Sequence, residues 1–233
     1  MSGFGRFGKR NLGINSLSDE RLVKIDTTTE GFYDNVLNYS SKNGDIQAFI
    51  GAVREVQEVG VEPFYRPVMD PSLEDGNAVF KKWNKPAVGH SFNFWKQKAE
   101  EMPAVEGKKW HIGSEYQYYA FLTWLINQLV ATGQGIKGAI EAVVLDSKEL
   151  GHYRNAKNAL QDFETTGSRE VCGVYDLANA YKLLACSNEE AGGFWVAGGY
   201  YDDNSNFCPL ADLGHRNGVD YDYGDSVGWL VLA

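Results

Sequence analysis

Apolar side chains recur at helical spacing in two long stretches of the chain. Tyr118, Leu122, Leu125, Ile126 and Leu129 fall on one face of a helix. Ser114 with Gln117 makes a capping box, Glu115 places an acid in the first turn, and Gly133 is a natural stop. Together these predict an amphipathic helix over 114–129. Ile46, Phe49, Ile50, Val53 and Val56 keep the same period behind Asp45, an N-cap residue, and predict an earlier helix. A shorter helical pattern covers 136–145.

Strand patterns are shorter. Residues 22–29, 171–177, 181–186, 193–197 and 227–232 carry the β-branched, aromatic and apolar content that suits strands, with Asn179 marking a turn. Residues 59–86 hold four prolines and no sustained period, which predicts irregular chain with one helical turn at 78–83. Residues 154–167 read as a polar loop. Trp110 and the Phe92, Phe94, Trp95 cluster read as core or packing residues.

The stretch between the last two predicted strands has neither period. Tyr, Asp, Asn, Ser, His and Gly follow one another there as in an antigen-binding loop, where rigid aromatics and short polar side chains share the contacts. From residue 196 to 228 there is no Lys, Glu, Gln, Met or Trp, although these types make up about a fifth of the chain. Codons AAC and AAT with randomised adenines never encode those five amino acids. The competing reading is a polar loop that lacks them by chance.

Composition then removes several classes. A chain of 233 residues with 43% hydrophobic residues and 26 glycines is a loop-rich globular protein, and one domain is the default. The net charge of −9 leaves no basic stripe for a nucleic-acid backbone. The longest apolar stretch, 120–131, is too short to span a membrane. Residues 1–10 have charges and no apolar core, so they are not a secretory signal, and the expectation is a protein made in the cytoplasm. Residues 1–18 read as a loose arm before a single domain over 19–233. Cys172, Cys186 and Cys208 show no C-x-x-C spacing, and no cofactor or metal is expected.

Four motifs, in order, resemble one family. Residues 107–125 (GKKWHIGSEYQYYAFLTWL) resemble the helix motif of the formylglycine-generating-enzyme branch of C-type-lectin-like domains, and still more the version in phage tropism-determinant proteins. In 166–184, Val174, Tyr175, Asp176, Leu177 and Asn179 match that branch's "G-L-Y-D-M-x-G-N" motif, with Tyr181 and Leu183 where tryptophans stand. Gly198-Gly199 followed by Tyr200-Tyr201-Asp202-Asp203 is similar to "R-G-G-S-W-D-N-G", and Val227-Gly228-Trp229 to "I/V-G-F-R". The resemblance spans 107–233 and implies an α+β, C-type-lectin-like fold: a small twisted antiparallel sheet where the termini meet, flanking helices and long loops. In this branch, proteins diversified by retroelements carry their variable stretch at this place.

The resemblance implies a ligand-binding display protein with a variable segment over about 194–226, on a virion surface, for receptor recognition. Its partner would be a protein or glycan ligand, and it would form a homo-oligomer or attach to a larger particle. Randomised positions must be exposed, because a random residue in a packed core destabilises a marginal domain. The expected ligand surface is Tyr201, Asp203, Asn204, Asn206, Phe207, His215, Arg216, Asn217, Tyr221 and Tyr223. Gly198, Gly199, Gly214, Gly218 and Gly224 would set the backbone path through positive φ.

Two alternatives belong to the same fold. A formylglycine-generating oxidase needs a cysteine just after the last motif, where this chain has Leu230 and Val231. Cys172 and Cys186 read as small buried hydrophobes. A calcium-dependent lectin would use Asp202, Asp203, Asn204, Asp220, Asp222 and Asp225, but its tripeptide motifs are absent. His90, His111, His152 and His215 are scattered and lack a catalytic partner at informative spacing, so no enzymatic activity is expected.

Overall fold

The computed structural model describes residues 14–155, 165–167, 169–187, 193–220 and 222–233. Its elements in order are β1 (Leu22–Ile25), α1 (Asp34–Leu37), α2 (Gly44–Val59), β2 (Phe64–Pro67), β3 (Ser72–Glu74), β4 (Asn77–Val79), α3 (Phe92–Glu101), β5 (Trp110–Ile112), α4 (Glu115–Ala131), α5 (Ile136–Val144), β6 (Glu170–Val171), β7 (Val174–Tyr175), β8 (Tyr181–Ala185), β9 (Phe194–Ala197), β10 (Leu213–Arg216), β11 (Ser226–Gly228) and β12 (Leu230–Leu232). The class is α+β. Two four-stranded sheets, β1-β2-β12-β5 and β10-β9-β8-β11, are accompanied by two small two-stranded hairpins, β3–β4 and β6–β7. The first is antiparallel throughout and sets β1 and β12, from opposite ends of the chain, on either side of β2.

The centre is α4. Ser114 accepts from the Gln117 N–H, and the Gln117 side chain accepts from the Ser114 N–H, which completes the expected capping box. Tyr118, Leu122, Leu125, Ile126 and Leu129 are all buried, and so are Ala120, Phe121 and Thr123 on other sides. The helix is enclosed by α1, α2, α5, β1 and β8. Glu115 receives the Ser187 N–H at 2.7 Å, tying the helix start to the end of β8.

One apolar run serves two sheets. The expected single strand at 227–232 divides at Trp229. Residues before it pair in parallel with β8, and those after it pair with β5 and β2. Gly113 N–H donates to Trp229 O at 2.9 Å, and a Cβ on Gly113 would lie 2.3 Å from the indole. Only glycine fits there. Gly228 is equally constrained, 2.5 Å from the Trp95 ring.

A quartet of charged residues lies in the interior. Lys182 on β8 donates to both carboxylate oxygens of Asp70, at 2.7 and 2.6 Å, and to Asp176 O at 3.3 Å. Asp176 accepts the Gly167 N–H at 2.9 Å. Arg66 donates to Pro67 O and stands 4.5 Å from the Phe121 ring centroid. Burial, then the neighbouring Asp70 charge, push Asp176 up to about 7. Burial pulls buried His152 down to about 4.

Several expectations are corrected. Asn43, not Asp45, caps α2, accepting from the Asp45 and Ile46 N–H groups. The stretch 59–86 holds β2 and the β3–β4 hairpin, with β4 where a helical turn was expected; three-residue strands leave almost no period to read. The aromatic cluster at 92–95 packs as expected, with Phe92 and Trp95 in the core and Phe94 against it, but it also begins a helix, α3, capped by Ser91. The strand expected at 171–177 is the β6–β7 hairpin, turned at Cys172 and Gly173, both at positive φ. Cys172, in that turn, and Cys186, just past β8, are both half-buried and not core residues. Ile14 is buried and Leu17 N–H bonds Glu106, so residues 14–18 are anchored, not loose. The remainder of the arm, and 156–164 of the expected polar loop, lie outside the described residues. Among the described residues no helix is long and apolar enough to cross a membrane.

Leu125 is fully buried, so Leu125→Ala should cost about 2–5 kcal/mol, read by denaturant unfolding. The two titrations give a second test. His152 falls from an ordinary 6.5 to about 4, so its unfolded form binds more protons and stability is lost as pH drops below 6.5. Asp176 rises from 3.8 to about 7, so its folded form binds more protons and stability is lost as pH climbs toward 7. Over the shared window the slopes oppose. Relative to the parent, Asp176→Asn should lose more stability on acidification there and His152→Gln should gain more, each by about 1 kcal/mol per pH unit. Parallel pH profiles for all three proteins would refute this account.

Candidate functional site

The candidate segment hangs from the second sheet. β9 and β10 pair antiparallel, with Trp195 opposite His215 and Phe194 opposite Arg216. Between them the chain makes a loop, 198–212, and after β10 it returns to β11. Gly198 adopts φ 70° and Gly218 φ 87°, as expected for residues chosen for positive φ. Gly199 is needed for space, since a Cβ there would lie 2.6 Å from both Cys208 O and the Tyr153 ring. Gly199, Gly214 and Gly224 have no positive φ, which corrects the expectation for those three.

The loop backbone is fastened by side chains outside the segment. Tyr118 OH donates to Leu210 O and Tyr153 OH to Cys208 O, each at 3.0 Å. Ser147 Oγ accepts the Leu210 N–H at 2.9 Å, and Asn155 accepts the Ser205 N–H at 3.0 Å. Ala211 N–H reaches Val143 O on α5. The Ser205 hydroxyl bonds Asp146. These anchors fix the path of the loop and leave other side chains to point away.

The expected surface residues fall into two groups. Asn206, Phe207, Arg216 and Asn217 are exposed, Phe207 at 75%. Tyr201, Asp203, Asn204, His215 and Tyr223 are half-buried. Tyr221 lies outside the described residues. Asp203 faces inward: its carboxylate accepts Tyr181 OH at 2.7 Å and Tyr200 N–H at 3.1 Å, and its carbonyl accepts the Arg154 N–H. Burial and this carboxylate push the Tyr181 phenol far above its ordinary range. Asn204 O accepts the Phe207 and Cys208 N–H groups, forming the turn that lifts Phe207 outward. Tyr201 meets the edge of Tyr200 at 5.5 Å.

The β10 side forms a separate patch. His215 packs edge-on to Trp195 at 5.1 Å, and Arg216 Nε donates to Tyr223 OH at 2.5 Å. Tyr223 rests on Phe194 and pairs with His90 in a β-bridge. Asn93 donates to Asp220 at 2.7 Å, tying the return segment to α3.

A pocket of about 370 Å³ opens where the loop meets the helices. Asn206, Phe207 and Asp212 from the segment face Asp45 and Phe49 of α2 and Tyr119 of α4 across it. Sequence reasoning missed the α2 and α4 contributions, because Asp45 reads as a cap and Phe49 as core. The pocket pairs aromatic faces with carboxylates, a combination that suits a sugar ring or a cationic side chain.

Other chemistry has little support here. All three cysteines are free. Burial raises Cys172 and Cys186, and raises Cys208 to about 11, so each is a thiol and not a thiolate at neutral pH. Among the described residues no three His, Cys, Asp or Glu side chains converge as metal ligands. His111 bonds Gln117 at 3.2 Å, and His90 stacks on Phe94. No known protein family matches the chain, and no curated protein matches it in sequence.

Replacing Asn206, Phe207, Arg216 and Asn217 together by Ala should leave the melting temperature almost unchanged. Asp203→Ala should cost about 1–3 kcal/mol, because Tyr181 and the Tyr200 N–H lose their acceptor. Differential scanning calorimetry of both proteins reads the contrast, and equal losses would place all five side chains in one structural class.

Proposed function

We propose that this chain is a ligand-binding display protein of C-type-lectin-like fold whose segment 194–226 is rewritten by a diversity-generating retroelement. One observation carries the reading: the five residue types that adenine randomisation of AAC and AAT cannot produce are absent from the stretch that holds the exposed Asn206, Phe207, Arg216 and Asn217. The meeting of β1 and β12 in one sheet supports the fold, and so does the motif order over 107–233. The raised cysteines weigh against the oxidase alternative, and the scatter of the carboxylates weighs against the calcium lectin.

The ligand is a protein or glycan receptor at a host surface, met by a virion. Phe207 and the pocket beside it form the anchor, and the polar rim supplies selectivity. The genetic test is to sequence the coding segment and its flanks. A near-copy beside a reverse-transcriptase gene, differing at adenines, is expected. Among natural variants Asn206, Phe207, Arg216 and Asn217 should differ, while Gly198, Gly199, Asp203 and Ser205 stay. Variation scattered evenly between core and surface would sink the proposal. In binding assays on glycan arrays and host-surface protein, Phe207→Ala should weaken capture about tenfold or more at unchanged stability.

A further inference from the structure

The loop after β4 holds an indole out into solvent. Trp83 is 70% exposed and adopts φ 72°, a left-handed conformation that disfavours bulky side chains. The backbone around it is clamped: Trp83 N–H donates to Thr166 O at 2.8 Å, Thr166 N–H to Asn84 O at 2.6 Å, and Thr166 Oγ1 to Lys81 O. Thr166 is itself fully buried. Asn84 donates to Ser72 and Glu74, and Lys82 lies over the Tyr175 ring at 4.3 Å. Lys81, Lys82 and Lys85 are all exposed around the indole, a basic spot on a chain of net charge −9.

A groove of about 310 Å³ neighbours this knob. Val79, Met102 and Trp110 give it apolar walls, and Glu74, Asp75 and Glu101 give it acidic groups. The Lys81–Glu74 ion pair, 2.9 Å, joins the base of the knob to the lining of the groove, so the two lie side by side. The volume admits one indole; Lys98 also lines the groove and pairs with Glu101 at 2.6 Å, so three carboxylates and one ammonium leave the groove acidic beside the basic knob.

We propose that this face is a self-complementary interface at which two copies of the chain pair about a two-fold axis, Trp83 of each entering the groove of the other. A two-fold axis brings one patch against itself reversed, so a basic aromatic knob beside an acidic apolar groove meets its complement in a second copy. The lysines then face Asp75 and Glu101 across the interface, and the indole is the central anchor. This is independent of the ligand-binding proposal and uses none of its residues.

Analytical ultracentrifugation of the full chain over rising concentration at low salt tests it. A reversible monomer–dimer equilibrium is expected, weakened by salt. Trp83→Ala should raise the dissociation constant about thirtyfold or more without lowering the melting temperature. Glu101→Lys should weaken it as well. A mixture of these two variants should pair better than either alone, because one intact knob then meets one intact groove. A chain that stays monomeric throughout, or a dimer indifferent to Trp83→Ala, overturns the proposal. So does a dimer that appears only after removal of residues 1–13.

Discussion

The ion pair between Lys182 and Asp70 is the contact on which the rest depends. Both side chains are almost fully buried, and removing one partner of such a pair leaves an uncompensated charge, at a cost of about 3–5 kcal/mol. Position matters more than net energy here. Lys182 sits on β8 of the second sheet, Asp70 follows β2 of the first, and Asp176 lies in the turn between β7 and β8. One ammonium group thereby fixes the spacing of the two sheets. The neighbouring Tyr181 uses its hydroxyl to hold Asp203. The path from core to candidate surface is thus short: Asp70, Lys182, Tyr181, Asp203.

Trp229 complements that bond from the other side. Its N–H donates to Leu183 O, its O accepts from Gly113, and its ring packs edge-on against Tyr118 and Phe64. The ion pair and the indole therefore bracket β8, one with charge and one with packing. Arg66 adds a cation against Phe121, whose ring also neighbours Trp229. Polar and apolar parts of the core are continuous, so β8 cannot shift without disturbing both.

What the sequence made legible follows from period. α2, α4 and α5 run long enough for several returns of the apolar face, and their positions were readable to within a residue or two. α3 was not, because only Phe92, Trp95 and Ala99 are buried among charged neighbours. The β3–β4 hairpin has strands too short to alternate. Lys182 stands inside an otherwise apolar strand, a visible oddity, but nothing in the local sequence names Asp70, 112 residues away, as its partner. At the candidate site, Asp202, Asp203 and Asn204 look alike in sequence. Only the demand of the half-buried Tyr181 hydroxyl for an acceptor singles out Asp203.

The same bonds explain how a loop here can tolerate change. Tyr118, Tyr153, Ser147 and Asn155 grip main-chain atoms of residues 205–210, and a main-chain atom is present whatever side chain the residue carries. The grip is built from outside the segment and does not consult its identity. Exceptions are few and physical: Gly199 has no room for a Cβ, Gly198 needs a positive φ, Leu210 is packed in the core, and Asp203 and Ser205 take part through their own side chains. A loop held by its own side chains would change shape with each substitution. One held by its backbone presents new side chains on an old path, and that separation of shape from surface is what a diversified binding site requires.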